Sequence, residues 1–402
     1  MSLGEVTVSN TATNTDINGG KVQSHSEISR FYRPELDALR FFAFVGVFLY
    51  HRHPLDHIAI HNPTVLMLVR PIFDSLESSV SLFFFLSAYL ITVLLELEIE
   101  GTGTLNVSSF YIRRSLRIWP LYYIVFGAAI VFGLLNPKFH VSFPAIVTYG
   151  LFVGNWLCAL KGWDAVQPTF GPLWSVSVEE QYYLICPLVM RHLKRRGLAV
   201  LSLLSFVISY LVLLWFGHRS WAGDASLRAN TFIQMQFFSA GTLTALILGR
   251  RVVALPWVAR TALSVAGLGA WFASDVFFKQ DSSMYLSSVF APALSLLLIL
   301  FGVLALFFAI QGLAASNIPK WTISLGKISY GLYAVHLFVI TAINHIWPTT
   351  QDHGAVTLGV LVIKSLVIFG LSILIARTSY TFIEKPFLRL KDRFTFVKSR
   401  VA

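Results

Sequence analysis

The chain has 402 residues, 55% of them apolar and only 13% charged, with a mean hydropathy of +0.68. That balance excludes an ordinary soluble domain. The formal charge of +11 does not indicate a nucleic-acid partner, because the basic residues cluster between apolar runs, as they do in the cytoplasmic loops of membrane proteins. Cys158 and Cys186 lie in separate apolar segments, so no disulfide, thiol chemistry or structural metal site is expected.

Residues 1–30 are rich in Ser, Thr, Asn and Gly and have no basic stretch leading into an apolar one. They read as a disordered cytoplasmic tail rather than a signal peptide. Residues 31–390 read as one transmembrane domain, followed by a short basic cytoplasmic tail over 391–402. Apolar segments recur at about 36–51, 72–95, 118–135, 143–160, 174–190, 197–217, 231–248, 258–278, 285–310, 326–347 and 356–378. Runs of this length predict an all-α polytopic membrane protein.

Counting every segment as a crossing places Arg113, Arg114 and Arg117 on the opposite face from Arg191, Lys194, Arg195 and Arg196, against the tendency of basic loops to stay inside. The conflict disappears if residues 143–173 do not cross. That stretch holds Pro144, Gly150, Gly154, Gly162, Pro168, Gly171 and Pro172, and such a backbone is tolerated at membrane depth only against protein or a cavity. The expectation is therefore about ten transmembrane helices, one re-entrant or non-spanning segment, and both termini cytoplasmic. No repeat of fixed period is visible, which argues against an inverted-repeat transporter.

The first apolar segment carries Asp37, Arg40 and His51. Eleven helical residues return to within roughly 20° of the starting direction and rise about 16 Å, so Arg40, Phe44, Val47 and His51 share a stripe. An arginine at helix depth costs on the order of 3 kcal/mol and so faces protein or water. The stripe reads as one wall of a polar shaft; the competing reading is an anchor helix with charged ends among headgroups. His51 has the chemistry of a general base, or is a helix-end histidine at the interface.

Glu179 and Glu180 open a later segment, Trp174-Ser-Val-Ser-Val-Glu-Glu-Gln-Tyr-Tyr183. Adjacent helical residues diverge by about 100°, so at most one of the pair faces a given site. They are candidates to support His51, or acids favoured at a helix start, with Ser175 or Ser177 as its cap. Arg113, Arg114 and Arg117 suit a polyanion such as the phosphates of an acyl-CoA, or simply mark a cytoplasmic loop. Tyr333 and His336 place polar groups on adjoining turns of a late segment, where His336 reads best as a hydrogen-bonded core histidine. Glu384 ends the last segment and is a candidate partner for the arginine cluster, while Lys364 reads as snorkelling.

Together these stretches resemble the acyltransferase 3 family of membrane O-acyltransferases over Arg33 to about Leu390. The resemblance rests on Arg33-Pro-Glu-Leu-Asp-Ala-Leu-Arg40 with His51, on Phe110-Tyr-Ile-Arg-Arg-Ser-Leu-Arg-Ile-Trp-Pro-Leu-Tyr-Tyr123, and on the segment from Trp174 to Tyr183. Ser329-Tyr-Gly-Leu-Tyr-Ala-Val-His336 and Ser379-Tyr-Thr-Phe-Ile-Glu-Lys-Pro-Phe387 complete the order. The chain departs from the family pattern at Ala38 and Ala88, where glycine is common, and at Ser79 and Ser81, where a polar pair often precedes the phenylalanines.

The resemblance implies transfer of an acyl group, often acetyl from acetyl-CoA, to a hydroxyl of a carbohydrate or glycosylated acceptor, with no metal. It casts His51 as general base, Glu179 or Glu180 as its support, Arg40 as a lining residue of the donor shaft, and Arg113, Arg114 and Arg117 as ligands of the CoA phosphates. Asp37, Ser175, Ser177, Tyr183, Tyr333, His336 and Glu384 become supporting polar groups. It also implies a multi-pass protein of a bacterial-type cytoplasmic membrane, of the stand-alone type without a C-terminal hydrolase-like domain. The alternative is a transporter or flippase of a lipid-linked glycan. The sequence names neither the acceptor nor an oligomeric state.

Overall fold

The computed structural model describes residues 31–52, 63–136, 141–219, 224–278, 289–348 and 354–395. The expected N-terminal tail and the last residues of the C-terminal one lie outside them. Seven helical stretches are long and apolar enough to cross a bilayer: Val69–Thr102, Val107–Leu135, Pro168–His218, Thr231–Leu248, Trp257–Phe278, Ala291–Ile310 and Gly359–Phe394. Among the described residues, the pair Lys320–Lys327 and Ser329–Ile346, bent by 72°, adds an eighth when the two helices are taken as one span. The chain is an all-α polytopic membrane protein, and helix is the form that satisfies its backbone within each segment.

In chain order the helices are α1 (Pro34–His51), α2 (Pro63–Ser75), α3 (Ser79–Thr102), α4 (Val107–Leu135), α5 (Phe143–Gly150), α6 (Gly154–Lys161), α7 (Leu173–Arg219) and α8 (Asp224–Arg228). They continue with α9 (Thr231–Leu248), α10 (Trp257–Phe278), α11 (Ala291–Ile310), α12 (Lys320–Lys327), α13 (Ser329–Ile346), α14 (Gly354–Ser379) and α15 (Lys385–Lys391). A π-helical turn, Tyr380–Glu384, joins α14 to α15.

Helix α7 has 47 residues, about 70 Å at 1.5 Å per residue, more than twice a hydrocarbon core of about 30 Å. It breaks at Lys194, where φ is 55° and ψ −167°, inside the basic run Arg191–Arg196. Each half is long enough to cross. The crossings expected from the sequence, about ten, exceed the seven or eight candidate spans among the described residues. Helix α1 carries three charges in eighteen residues, and they are tolerated because Glu35 and Asp37 are buried against protein.

The segment 143–173 forms the two short helices α5 and α6 and two 3-10 turns. Eight helical residues rise about 12 Å, too short to cross. Their polar groups are spent on the bundle. Tyr122 donates to the Tyr149 carbonyl at 2.8 Å, Asn155 to the Ala229 carbonyl at 2.9 Å, and Gln167 to the Ala129 carbonyl at 2.8 Å.

Two apolar cores result. The larger joins α3, α4, α7, α9 and α11 around Phe85, Tyr89, Tyr122, Phe238 and Phe307. The smaller joins α1, α12, α13 and α14 around Phe44, Leu332 and Ile368. Helix α1 reaches the smaller core only because α12 presents Gly326, where a Cβ would collide with the Asp37 carbonyl. Gly46 does the same on the other flank of α1, against the Ser79 hydroxyl. The polar residues singled out from the sequence converge in the seam between these two cores.

Candidate active site

A cavity of about 120 Å³ occupies the seam, walled by α1, α3, α4, α7 and α13. Its residues fall into layers. At one end stand Asp37 and Arg40 of α1, paired at 3.3 Å, facing Arg114 and Arg117 of α4. This is the basic end of the bundle. The Arg114 guanidinium lies 5.5 Å from the Tyr183 ring and 5.6 Å from the Phe110 ring, which fixes its plane by cation–π contact.

The next layer belongs to α7, whose residues Ser175, Glu179 and Tyr183 recur every fourth position and so share one face. The Tyr183 hydroxyl donates to Glu179 Oε2 at 3.1 Å and makes a short hydrogen bond with the Ser87 hydroxyl of α3. The rotation of α7 is set from its other side. Gln181 donates to the Phe152 carbonyl at 3.0 Å and to Asn155 Oδ1 at 2.9 Å, and the Trp119 indole donates to Glu180 Oε2 at 3.1 Å. Glu179 therefore lines the cavity and Glu180 does not. The 100° divergence expected of adjacent helical residues separates the two carboxylates in this way.

Above Glu179 the cavity closes. The Tyr333 hydroxyl and Ser175 Oγ are 2.7 Å apart, and Ser175 in turn donates to the Pro172 carbonyl at 3.0 Å. Tyr333 thus donates and Ser175 accepts. The Tyr333 ring packs 5.7 Å from Phe83 and 5.6 Å from the ring of His336.

Beyond this pair lie two imidazoles. His336 is fully buried, and its Nδ1 donates to the Tyr333 carbonyl at 2.6 Å. The exposed His51 ring stands 5.2 Å from it, with Nδ1 donating to the Val47 carbonyl at 2.9 Å. A carbonyl only accepts, so each neutral ring carries its lone pair on Nε2. His51 is the exposed member of the pair.

Of the expected constellation, Arg40, Asp37, Arg114, Arg117, Glu179, Ser175, Tyr183 and Tyr333 line one cavity, with His336 and His51 packed edge to face beyond Tyr333. The expected meeting of His51 with the glutamate pair takes a different form. Glu179 lies one turn nearer the basic end than Ser175, His336 lies about one turn farther than Tyr333, and the Tyr333–Ser175 bond stands between them. The reason is that α7 starts at Leu173, which draws Glu179 more than a turn into the bundle.

Other expected residues lie to the side. Arg113 is bound to Glu98 at 2.6 Å and to the Phe394 carbonyl at 2.7 Å. Ser177 is buried and donates to the Leu173 carbonyl at 3.2 Å, within its own helix. Glu384 is buried in the π-helical turn, against Gly331 of α13. Lys364 is buried rather than snorkelled, and donates to the Trp347 carbonyl that ends α13 at 2.6 Å. Sequence reasoning missed Ser87, whose signal was a hydroxyl inside the apolar run of α3, and Tyr330, which lines the cavity and donates to the Ile118 carbonyl at 2.9 Å.

The seam thus gathers a buried carboxylate, arginines at one mouth and two imidazoles beyond its far end. The acyltransferase domain of the acyltransferase 3 family matches residues 33–377, and the chain belongs to that family. It is 25% identical over 384 residues to an O-acetyltransferase OatA of Staphylococcus aureus (strain NCTC 8325 / PS 47), which covers 88% of this chain and 57% of that protein. It is equally 25% identical over 378 residues to a putative O-acetyltransferase, SAS0844, of Staphylococcus aureus (strain MSSA476), covering 89% and 57%. The chain thus spans little more than half the length of these curated relatives. No solved structure matches it.

Proposed function

We propose that the chain is an integral membrane O-acyltransferase that moves an acyl group, acetyl in the simplest case, from acyl-CoA to a hydroxyl of a saccharide or glycosylated acceptor. The observation that carries this reading is the layered cavity, cationic at one mouth, acidic within, and bounded by Tyr333 just short of two histidines packed edge to face. The basic end faces the cytoplasm, as its arginines favour, and the histidine end faces away. The family's description and the names of the two relatives support the reaction class.

In the proposed reaction Arg114 and Arg117 hold donor phosphates and the thioester arm runs along Glu179 toward Tyr333. With Tyr333 and Ser175 parted, the thioester carbon reaches the imidazoles. His51 Nε2 takes the proton from the acceptor hydroxyl as its oxygen attacks that carbon. The new C–O bond forms, the C–S bond breaks, and the thiolate leaves with a proton returned by the imidazolium. His336 packs against His51 and orients it. Glu179, held by Tyr183, fixes the cationic wall along which the arm passes.

The test is acetyl transfer from labelled acetyl-CoA to a saccharide in membranes holding the His51→Gln protein at normal abundance. General-base catalysis contributes about 10²–10⁴-fold, and a loss of that size is expected. Transfer at the wild-type rate would remove His51 from the reaction. Movement of a labelled glycan across the membrane with no consumption of acetyl-CoA would replace the whole reading with that of a flippase.

A further inference from the structure

Two cations at the histidine end of the bundle have no part in the reaction above. Arg52 directly follows His51 and ends α1, its amide donating to the Leu49 carbonyl at 3.2 Å. The Nε and Nη2 atoms of its guanidinium are buried and meet no acceptor. Lys364 of α14 is 1% exposed. Its ammonium has three donors; the Trp347 carbonyl takes one at 2.6 Å, and no described residue accepts either of the others. The Arg52 guanidinium bears on Lys364 as a like charge, so the two stand together.

Other cations on this side are matched. Arg228, which lies within electrostatic reach of Tyr50, pairs with Glu77, and Arg70 pairs with Asp74 at 3.5 Å. Among the described residues Arg52 and Lys364 form no ion pair. Two like charges, withdrawn from water and unmatched, are costly to hold in an apolar bundle. Ionisable groups kept there mark a functional site by default. The Trp347 carbonyl belongs to the end of α13, where partial negative charge gathers, but roughly half a charge from one helix end does not balance two cations.

We propose that Arg52 and Lys364 form an anion site for the acceptor, and that the acceptor is a saccharide carrying a carboxylate or phosphate close to the hydroxyl that is acylated. The proposal rests on the acyltransferase reading above and names the chemical class of its acceptor. Arg52 offers a planar fork of donors suited to the paired oxygens of either anion, and Lys364 a compact point charge. Because Arg52 is the residue after His51, an anion seated there sets the sugar beside the Nε2 lone pair of His51. A neutral saccharide leaves both cations unmatched, and the site rejects it for that reason. Donor and acceptor anions thus occupy opposite ends of the seam.

The experiment gives the full-length protein, in lipid nanodiscs, labelled acetyl-CoA and surface glycan from the host cell in three forms: native, carboxyl-reduced with carbodiimide and borohydride, and dephosphorylated with hydrofluoric acid. One of the two neutralising treatments is expected to raise the glycan KM about tenfold or more, as loss of a charge-assisted contact implies, and which one does so tells carboxylate from phosphate. Lys364→Gln and Arg52→Gln are each expected to raise KM for native glycan roughly tenfold and to leave KM for acetyl-CoA where it was. Lys364→Arg, which keeps the charge, is expected to retain most of the wild-type value.

Equal KM for all three glycans would overturn the proposal. So would equal KM changes for glycan and acetyl-CoA in both glutamine variants, which would give the two cations a structural role. Anionic phospholipid that copurifies with the wild type and is lost from Lys364→Gln would make this a lipid headgroup site and overturn it too. Failure of the wild type to consume acetyl-CoA with any glycan would remove the acyltransferase reading itself, a result separate from any of these.

Discussion

The Tyr333 hydroxyl lies 2.7 Å from Ser175 Oγ, joining α13 to α7 at the level where the polar cavity stops and the histidines begin. A single neutral hydrogen bond is worth about 0.5–1.5 kcal/mol net. The partition is therefore specific in geometry yet inexpensive to open.

In the reaction proposed above, that partition keeps water on the histidine side from the donor thioester on the basic side. Replacing Tyr333 with alanine removes the ring as well as the hydroxyl, and acetyl-CoA hydrolysis without acceptor is expected to rise relative to transfer. Thiol release in the presence and absence of saccharide measures it. An unchanged ratio would show that the partition lies elsewhere.

The two glutamates are expected to separate in function as they do in space. Glu179→Gln removes the charge that faces the cavity, and a charge-assisted hydrogen bond of about 1.5–3 kcal/mol corresponds to roughly a ten- to hundredfold loss of transfer. Glu180→Gln, whose side chain keeps its bond to the Trp119 indole through the amide oxygen, is expected to stay within about threefold of wild type, within the 0.5 kcal/mol spread of mild substitutions. Parallel losses would mean that the cavity-facing assignment is wrong.

Ion pairs at the basic end differ sharply in burial, and stability is expected to follow. Glu98→Ala leaves Arg113 without its buried counter-charge, and breaking such a pair costs about 3–5 kcal/mol. Glu100→Ala breaks a pair with Arg250 in which both side chains are 60% exposed, worth about 0–1 kcal/mol. Thermal unfolding in detergent should separate the two variants clearly.

Backbone contact predicts a further contrast. Gly326→Ala drives a methyl group into the Asp37 carbonyl, and overpacking of this kind costs about 1–3 kcal/mol. Gly359→Ala on α14 meets nothing within 4 Å and is expected to be neutral or slightly stabilising, since alanine is the better helix former. Unfolding midpoints of the two variants check both statements, and activity should fall with Gly326→Ala because α1 carries Arg40 and His51.

Much of this was legible in the chain. Arg40 and His51 were placed on one stripe by helical spacing alone, and the glycines and prolines of 143–173 marked a segment too broken to cross. The conflict between Arg113–Arg117 and Arg191–Arg196 required that one intervening segment not cross, and those glycines and prolines pointed to it. What resisted reading depended on rotation and depth. Trp119 of α4, and Phe152 and Asn155, which accept from Gln181, decide which glutamate faces inward, and they act from other elements. Lys364 was expected to snorkel because nothing local showed that α13 ends beside it and offers the Trp347 carbonyl. Arg113 looked like its two neighbours, and only the return of the C-terminal segment separates it from them.

Lys194 carries a positive φ without being glycine, a conformation that costs a side-chain-bearing residue on the order of 1–3 kcal/mol. It sits at the break that divides the 47 residues of α7 into two helices. Glycine there would relieve the backbone, but it would also delete one cation of the basic run Arg191–Arg196, the kind of cluster that favours one side of a bilayer. Thermal robustness and fidelity of insertion therefore pull in opposite directions at this residue, and a lysine at the bend favours the second.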